Sequence, residues 1–174
     1  DKWWIDQIVN NTVAVIFPES MRIFVKQPDG TYTAPAESPS VLALVSGLYT
    51  LTTPQGVKYN FNSSGQIATI VFPNGVTVTY TYASGLLSTI SNGLGRTLTL
   101  GYTSGRITSV SDGNGRSITY GYDGNNNLTS AVDTLSHAVS YQYDLPGRMT
   151  KIFLPANPLV AVVTNVYDTL GRVQ

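Results

Sequence analysis

The chain has 174 residues, of which 42% are hydrophobic and 11% are charged, and 10 basic residues balance 10 acidic ones. This length suits one domain or a piece of a larger array, and a net charge of zero argues against a nucleic-acid partner. With no cysteine and a single histidine, the composition also points away from disulfides, thiolate metal sites and enzymes.

The first 56 residues contain strand and turn patterns but no regular period. Apolar and β-branched runs predict strands at residues 12–17, 21–25 and 48–52. Proline and glycine predict tight turns at Pro28-Asp29-Gly30 and Pro54-Gln55-Gly56. We interpret residues 1–56 as an irregular β segment that covers the open end of the repeats that follow, with Trp3 and Trp4 as capping bulk, because terminal repeats are usually atypical.

Two features of this part of the chain bear on location. The longest apolar run, residues 41–45, is far shorter than the about 20 residues that span a bilayer. Residues 1–6 lack the basic start and long apolar stretch of a secretory signal. We therefore expect no membrane span, and we expect any export signal to lie outside this sequence.

From residue 57 onward the sequence repeats every 20 to 24 residues. Each unit starts with an aromatic residue, namely Phe61, Tyr82, Tyr102, Tyr122, Tyr143 or Tyr167. A turn glycine follows at Gly65, Gly85, Gly105, Gly147 and Gly171. Asn126 holds that place in the unit of Tyr122, and asparagine also tolerates the left-handed backbone. A second turn lies mid-unit at Gly75, Gly95 and Gly115, and Ser136 replaces the glycine in the fourth copy.

Between the turns, apolar and polar residues alternate, as in residues 76–82, which indicates β-strands. The return segments carry apolar pairs three residues apart, such as Ile107 and Val110. This spacing predicts a bulge or a switch of face, because about eight residues between turns are too few for a helix. Asn-Gly at Asn74-Gly75 is a strong hairpin signal. The predicted fold class is therefore all-β, an array of antiparallel hairpins of about 20 residues.

The last unit departs from this pattern. Its mid-unit turn is replaced by Pro155-Ala156-Asn157-Pro158, and the sequence stops at Gln174, where a return strand should begin. A half hairpin leaves unpaired backbone groups at a sheet edge. We expect that the natural polypeptide continues or that another molecule completes this edge.

Three segments, residues 112–123, 143–149 and 167–173, resemble the YD repeat of RHS proteins, which is similar to repeats in toxin-complex shell subunits and teneurins. The resemblance covers roughly residues 57–174, and residues 27–35 resemble the irregular region that precedes the regular repeats. The repeat aspartate is present at Asp123, Asp144 and Asp168, and it is replaced at Asn62, Ala83 and Thr103.

The resemblance implies a long coiling sheet of hairpins that closes into a hollow β-shell. In bacterial members this shell encloses a toxic C-terminal domain, which some members release by aspartyl self-cleavage at a motif containing Asp-Pro. Because Asp-Pro is absent from this sequence, we assign no catalytic residue.

Several motifs admit a binding role beside a structural one. Asp112–Gly115 and Asp123–Asn127 could be calcium loops, but the EF-hand pattern fails at positions 6 and 12, and we interpret both as turns. The tyrosines could stack on sugars, although their position on the apolar face predicts core packing with the hydroxyl bonded at the rim. We expect His137 to be an ordinary surface residue.

Arginine recurs after the turn glycine, at Arg96, Arg106, Arg116, Arg148 and Arg172. These side chains could line an anion-binding track. We predict instead that neighbouring hairpins place each arginine beside an aspartate, as partly exposed cross-strand pairs.

Two functions follow from this reading. The first is a structural segment of an RHS shell, secreted or at the cell surface, whose partners are further repeats of the same or a neighbouring chain and an encapsulated toxin domain. It would need no cofactor and catalyse no reaction. The second is an adhesive or self-assembling fibre module, which binds glycans or protein through strand edges and its Thr/Asn-rich face, or associates head to tail.

Overall fold

The computed structural model describes residues 11–37 and 39–174, so the predicted capping role of Trp3 and Trp4 lies outside the described residues. The described residues form 16 strands and no helix. In chain order the strands are β1 (Thr12–Phe17), β2 (Ser20–Lys26), β3 (Tyr32–Thr33), β4 (Val41–Val45), β5 (Leu48–Thr52), β6 (Lys58–Phe61), β7 (Ile67–Val71), β8 (Thr77–Ala83), β9 (Leu86–Ser91), β10 (Thr97–Thr103), β11 (Arg106–Ser111), β12 (Ser117–Tyr122), β13 (Leu128–Val132), β14 (Ala138–Leu145), β15 (Arg148–Leu154) and β16 (Asn157–Thr164). In this part of the chain, no helix is long and apolar enough to cross a membrane.

The chain divides into two compact units. The first unit comprises Asp1–Thr81 and Ile90–Gly95, and the second comprises Tyr82–Thr89 and Arg96–Gln174. The predicted domain boundary after residue 56 falls between β5 and β6, which pair with each other inside the first unit. A division into 1–56 and 57–174 therefore stays a prediction.

The first unit holds a small core. Strands β1, β2 and β3 form a three-stranded sheet, and β4 to β8 pair antiparallel in chain order. Val15 and Phe24 from the small sheet pack with Leu42 and Leu51, which face each other across β4 and β5. Phe61 packs against this cluster from β6. Burial of these alternate apolar residues is what the period-two pattern predicts.

In the second unit, β10 to β16 pair antiparallel, each with the next strand along the chain. This pairing confirms the all-β class and the hairpin array predicted from the repeat. The predicted bulge is also present, because Tyr102 pairs with Ile107 while Gly101 pairs with Ser109. The extra residue, Thr108, brings Ile107 and Val110 to the same face of the sheet.

The turn at Asn74-Gly75 joins β7 to β8, as predicted, but it is longer than a two-residue Asn-Gly turn. The N–H of Phe72 donates to the Val76 carbonyl at 2.9 Å, and Gly75 N–H donates to the Phe72 carbonyl at 2.9 Å. Three residues therefore lie inside the loop, and only the last, Gly75, has a positive φ, of 83°. This is the three-residue hairpin loop that ends in a left-handed residue.

In the last unit, Pro155-Ala156 form the turn and β16 begins at Asn157, directly opposite Leu154. The segment after β16 is held back onto β15 by the Asn165 N–H, which donates to the Thr150 carbonyl at 2.8 Å. An isolated bridge then joins Tyr167 to Val173.

Candidate functional site

The repeat turns share one hydrogen-bond plan, which Asp168 illustrates. Its N–H donates to the Arg172 carbonyl at 2.9 Å, and Gly171 N–H donates back to the Asp168 carbonyl at 3.0 Å. The carboxylate oxygen Oδ1 of Asp168 then accepts the N–H groups of Leu170 and Arg172, both at 2.9 Å. Gly171 takes a φ of 78°, a conformation that glycine adopts without steric cost. The aspartate thus fixes its own turn.

The same side-chain capping occurs at other repeat turns, where the acceptor is Asn62, Asp112, Asp123 or Asp133. Hydrogen bonds that N–H groups donate to a carboxylate favour its charged form over its protonated form. They lower the pKa of Asp112, chiefly through the Asn114 N–H, and of Asp123, chiefly through the Asn127 amide. Backbone N–H groups likewise lower the pKa of Asp133 and Asp168. These oxygens are occupied within the turn, and the described residues contain no cluster of three potential metal ligands.

Two of the sequence repeats replace the repeat aspartate with Ala83 or Thr103, and the turns of these two repeats differ from the others. In the first, Ser84 and Gly85 have φ values of 50° and 80°, and Ser104 and Gly105 in the second have 49° and 77°. Two consecutive positive φ angles define a tight two-residue hairpin turn. Such a turn is one residue shorter than the three-residue loop that the aspartate caps in the other repeats.

Three of the five arginines pair inside their own turns, so for Arg116, Arg148 and Arg172 the prediction of pairs between neighbouring hairpins is wrong. Arg116 Nη2 lies 2.6 Å from Asp112 Oδ2, and Arg172 Nη2 lies 2.7 Å from Asp168 Oδ2. Arg148 makes a two-point contact with Asp144, with Nε to Oδ1 at 2.7 Å and Nη2 to Oδ2 at 2.8 Å, which lowers the pKa of Asp144. At Asp112 and Asp168, the closing hydrogen bond of the five-residue turn places residues i and i+4 side by side, which explains the local pairing there.

Two arginines also contact the aromatic residue that starts the next repeat. The Arg106 guanidinium lies 6.0 Å from the Tyr122 ring centroid, and that of Arg148 lies 5.2 Å from the Tyr167 ring centroid. Arg148 therefore connects Asp144 of its own turn to the tyrosine that starts the following repeat.

The tyrosines that start the repeats also bond to the preceding repeat through their hydroxyl groups. Tyr102 Oη donates to the Leu87 carbonyl at 2.8 Å, and Tyr122 Oη donates to the Ile107 carbonyl at 3.0 Å. The β11–β12 ladder ends at Ser109 paired with Thr119, so the Ile107 carbonyl lies beyond it and is reached by the tyrosine.

Tyr167 Oη makes the equivalent bond to the Met149 carbonyl at 2.7 Å. Tyr82 and Tyr143 lie half-buried in β8 and β14, and burial raises the pKa of Tyr143. The rings thus lie on the apolar face, while three hydroxyls satisfy carbonyls at its rim.

Asn127 is a site residue that sequence reasoning missed. Its side chain is nearly buried, with 7% exposure. Its Nδ2 donates to Asp123 Oδ2 at 2.9 Å, while its Oδ1 accepts the Gly147 N–H at 2.7 Å. Because Gly147 belongs to the turn of the next repeat, Asn127 links the turns of two successive repeats. The only signal in the sequence is an amide at the position where other units carry arginine.

The apolar face of the second unit is only partly covered. Leu98 is 43% exposed and Ile118 is 38% exposed, and both lie on the face that carries Tyr102 and Tyr122. The four most buried apolar residues of the described chain, Val15, Phe24, Leu42 and Leu51, all belong to the first unit. The tyrosine face of the second unit is therefore available for contact.

Comparisons with known proteins agree with this architecture. A family model described as RHS Repeat matches residues 61–97, 101–138 and 122–152, which is just over half of the chain. No curated protein sequence matches the chain.

Three solved structures share the fold at low sequence identity. A TcdB2-TccC3-Cdc42 crystal structure matches with TM-score 0.55 and 16% identity over 87% of this chain. TcdB2-TccC3 without its hypervariable C-terminal region matches with TM-score 0.56 and 16% identity over 90%. The Tc holotoxin pore of Photorhabdus luminescens matches with TM-score 0.52 and 16% identity over 88%. This chain spans only 10%, 10% and 12% of those chains, respectively.

Proposed function

This chain belongs to the RHS repeat family, and from that premise we propose that it is a wall segment of an RHS β-shell that encloses a cargo domain. Its task is mechanical and steric, and it carries out no catalysis. The partners are further RHS repeats on either side and a shielded domain of the toxin class. We propose that this chain, like the Tc holotoxin pore neighbour, belongs to a toxin assembly, and that this assembly is exported.

The observation that carries this proposal is the hydrogen-bonded link that recurs between successive repeats. A single hairpin of this size is marginal in water, and side-by-side stacking supplies the missing contacts. The hydroxyls of Tyr102, Tyr122 and Tyr167 each close such a contact to the unit before. A wall built in this way presents one continuous apolar face and one Thr/Ser-rich face. We propose that the apolar face is turned toward the cargo.

Cysteine labelling of the two faces tests this arrangement, because the sequence contains no native cysteine. Leu98 and Thr99 are adjacent, exposed and on opposite faces of β10. In this chain alone, Leu98→Cys and Thr99→Cys should both react with a polar maleimide. In the longest natural polypeptide that contains the segment, only Thr99→Cys should react until denaturant is added. Equal labelling of both positions in the native polypeptide would contradict an enclosed apolar face.

The second candidate is a self-assembling or adhesive module, and the exposure of β16 favours it. Leu159 is 90% exposed and Val160 is 58% exposed on this edge strand. An apolar strand edge is a template for pairing with another chain. Under this alternative, the mass measured by light scattering should rise with protein concentration, and Val160→Lys should abolish the rise. A concentration-independent monomer mass would exclude the fibre.

A further inference from the structure

Two tyrosines from two sheets meet at their hydroxyl ends in the first unit. Tyr32 lies in β3 of the three-stranded sheet, and Tyr49 lies in β5, which pairs with β4 and β6. Their Oη atoms are 3.4 Å apart, and their ring centroids are 5.9 Å apart with 75° between the ring planes. Both side chains are half-buried against the core cluster that contains Phe24 and Leu51. The packing of the core therefore holds the two phenols together.

The arrangement of these rings resembles that of a product in which they are joined directly. When two phenols couple at the carbons next to their hydroxyl groups, the two oxygens become neighbours and the rings twist out of a common plane. Tyr32 and Tyr49 already have neighbouring oxygens and strongly inclined ring planes in edge-to-face contact. Their centroids are too close for rings that meet end to end, which brings the Cε carbons beside the hydroxyls near the other ring.

A bond between these rings would join the three-stranded sheet to β5. The sequence has no cysteine, so a disulfide cannot make this connection. Among the described residues, the core cluster packs across the two sheets, and Arg22 Nη1 of β2 donates to Ser40 Oγ, just before β4, at 2.9 Å. A link from Tyr32 to Tyr49 would add a covalent connection and restrict the unfolded chain, as a disulfide does.

We propose that Tyr32 and Tyr49 form an oxidative cross-linking site, at which a one-electron oxidant of the haem peroxidase class joins them into dityrosine. Each phenol loses one electron and its hydroxyl proton, and a bond forms between one Cε carbon of each ring. The hydrogens on these two carbons then move to the oxygens, which restores both phenols. The pair loses two hydrogen atoms in total, and one hydrogen peroxide is reduced to two waters. This modification does not depend on the wall proposal.

Photo-oxidation of the full chain with a ruthenium tris-bipyridine complex tests the proposal, with persulfate as the acceptor that takes up two electrons and gives two sulfates. We expect a monomer whose mass is lower by two hydrogens. Cleavage after Lys26, Glu37 and Lys58 places Tyr32 and Tyr49 in separate peptides, which stay joined only if the rings are bonded. The yield of joined peptides should be several-fold higher in the folded chain than in urea. Equal yields, or no joined peptides, would overturn the proposal.

Matched variants assign the cross-link to this pair. Tyr32→Phe and Tyr49→Phe should each abolish the loss of two hydrogens from the monomer, because phenylalanine has no hydroxyl to oxidise. Tyr59→Phe should leave the yield unchanged, since Tyr59 packs against the same core cluster but its ring contacts Phe17. Far-UV circular dichroism establishes that the three variants keep their β structure. A monomer cross-link that persists in Tyr32→Phe, or a product found mainly as dimers, would contradict the assignment.

Discussion

At the scale of single residues, the capping aspartates strengthen turns that the backbone can already form. The turn that starts at Phe72 has the two backbone hydrogen bonds of the plan although Phe72 itself offers no side-chain acceptor. Asn62 supplies the same Oδ1 acceptor to Ser64 and Gln66 without a charge. The carboxylate of Asp123 therefore adds charge-assisted bonds to a geometry that other residues also reach.

These carboxylates make stability depend on acid. Because the pKa values of Asp112, Asp123, Asp133 and Asp168 are lowered from 3.8 in the folded chain, their contribution is complete above about pH 5 and is lost as the pH falls through the folded-state values. The free energy of unfolding, measured with urea from pH 7 to pH 2, should therefore decrease on the acid side.

Asp123→Asn isolates one carboxylate from this set, because its Oδ1 can still accept the Asn125 N–H. The variant should fold and show a smaller loss of unfolding free energy between pH 5 and pH 2 than the unaltered chain. Glu19→Gln is the control, since Glu19 is exposed and makes no hydrogen bond with the described residues. An acid dependence that is identical in all three proteins would contradict the assignment.

Ser136 is a second residue-scale test, because it has a φ of 66° where the other mid-unit turns have glycine. The left-handed conformation costs most L-residues about 1–2 kcal/mol, part of which glycine returns as lost chain entropy. Ser136→Gly should therefore raise the free energy of unfolding by about 0.5–1 kcal/mol. Asn126→Gly, at φ 67°, should gain less, because asparagine tolerates this region. Thermal denaturation of both variants measures the difference.

At the scale of strands and hairpins, each repeat is linked to its neighbour by a few side chains beyond the backbone ladder. The Tyr122 hydroxyl bonds to the Ile107 carbonyl and its ring contacts Arg106, while Asn127 bonds to the N–H of Gly147. All of these contacts lie near the bulge, where the ladder stops and leaves backbone groups to be satisfied. The side-chain links thus complete the pairing that the bulge interrupts.

Removal of one hydroxyl tests this link. Tyr122→Phe deletes the bond to Ile107 and leaves the carbonyl half-buried, so the free energy of unfolding should fall by about 0.5–1.5 kcal/mol. Tyr120 lies two residues away on the same face of β12, and its hydroxyl bonds to no described residue. Tyr120→Phe should therefore change stability by less than half as much. Equal losses for both variants in urea denaturation would contradict a specific role of the Tyr122 hydroxyl.

The sequence pattern was sufficient to predict the hairpins and the bulge but not the side-chain partners. The three-residue spacing of Ile107 and Val110 on one face has few solutions other than an extra residue in the strand. By contrast, Arg116 four residues after Asp112 is compatible with a partner in the same turn or in the next hairpin, and only the loop length decides. Asn127 is harder still, because its partner Gly147 lies 20 residues away.

At the scale of the whole molecule, burial is distributed unevenly between the two units. Phe24 and Leu51 in the first unit have 0% exposure, whereas apolar residues of the second unit such as Ile118 keep 38%. The second unit therefore depends on its ladders and on cross-strand pairs more than on a closed core. An open apolar face of this kind gains most from contact with other parts of a larger assembly, which is the physical basis of the wall proposal.

This distribution predicts unequal effects of truncating apolar side chains. Leu51→Ala should lower the free energy of unfolding by about 2–5 kcal/mol, because it empties a fully buried site in the first unit. Ile118→Ala should cost only about 1 kcal/mol, because much of that side chain is already in water. Hydrogen exchange followed by mass spectrometry adds the spatial readout: Leu51→Ala should accelerate exchange in β4 and β5 far more than in β12 and β13. Similar costs for the two variants would mean that the apolar face of the second unit is covered in solution.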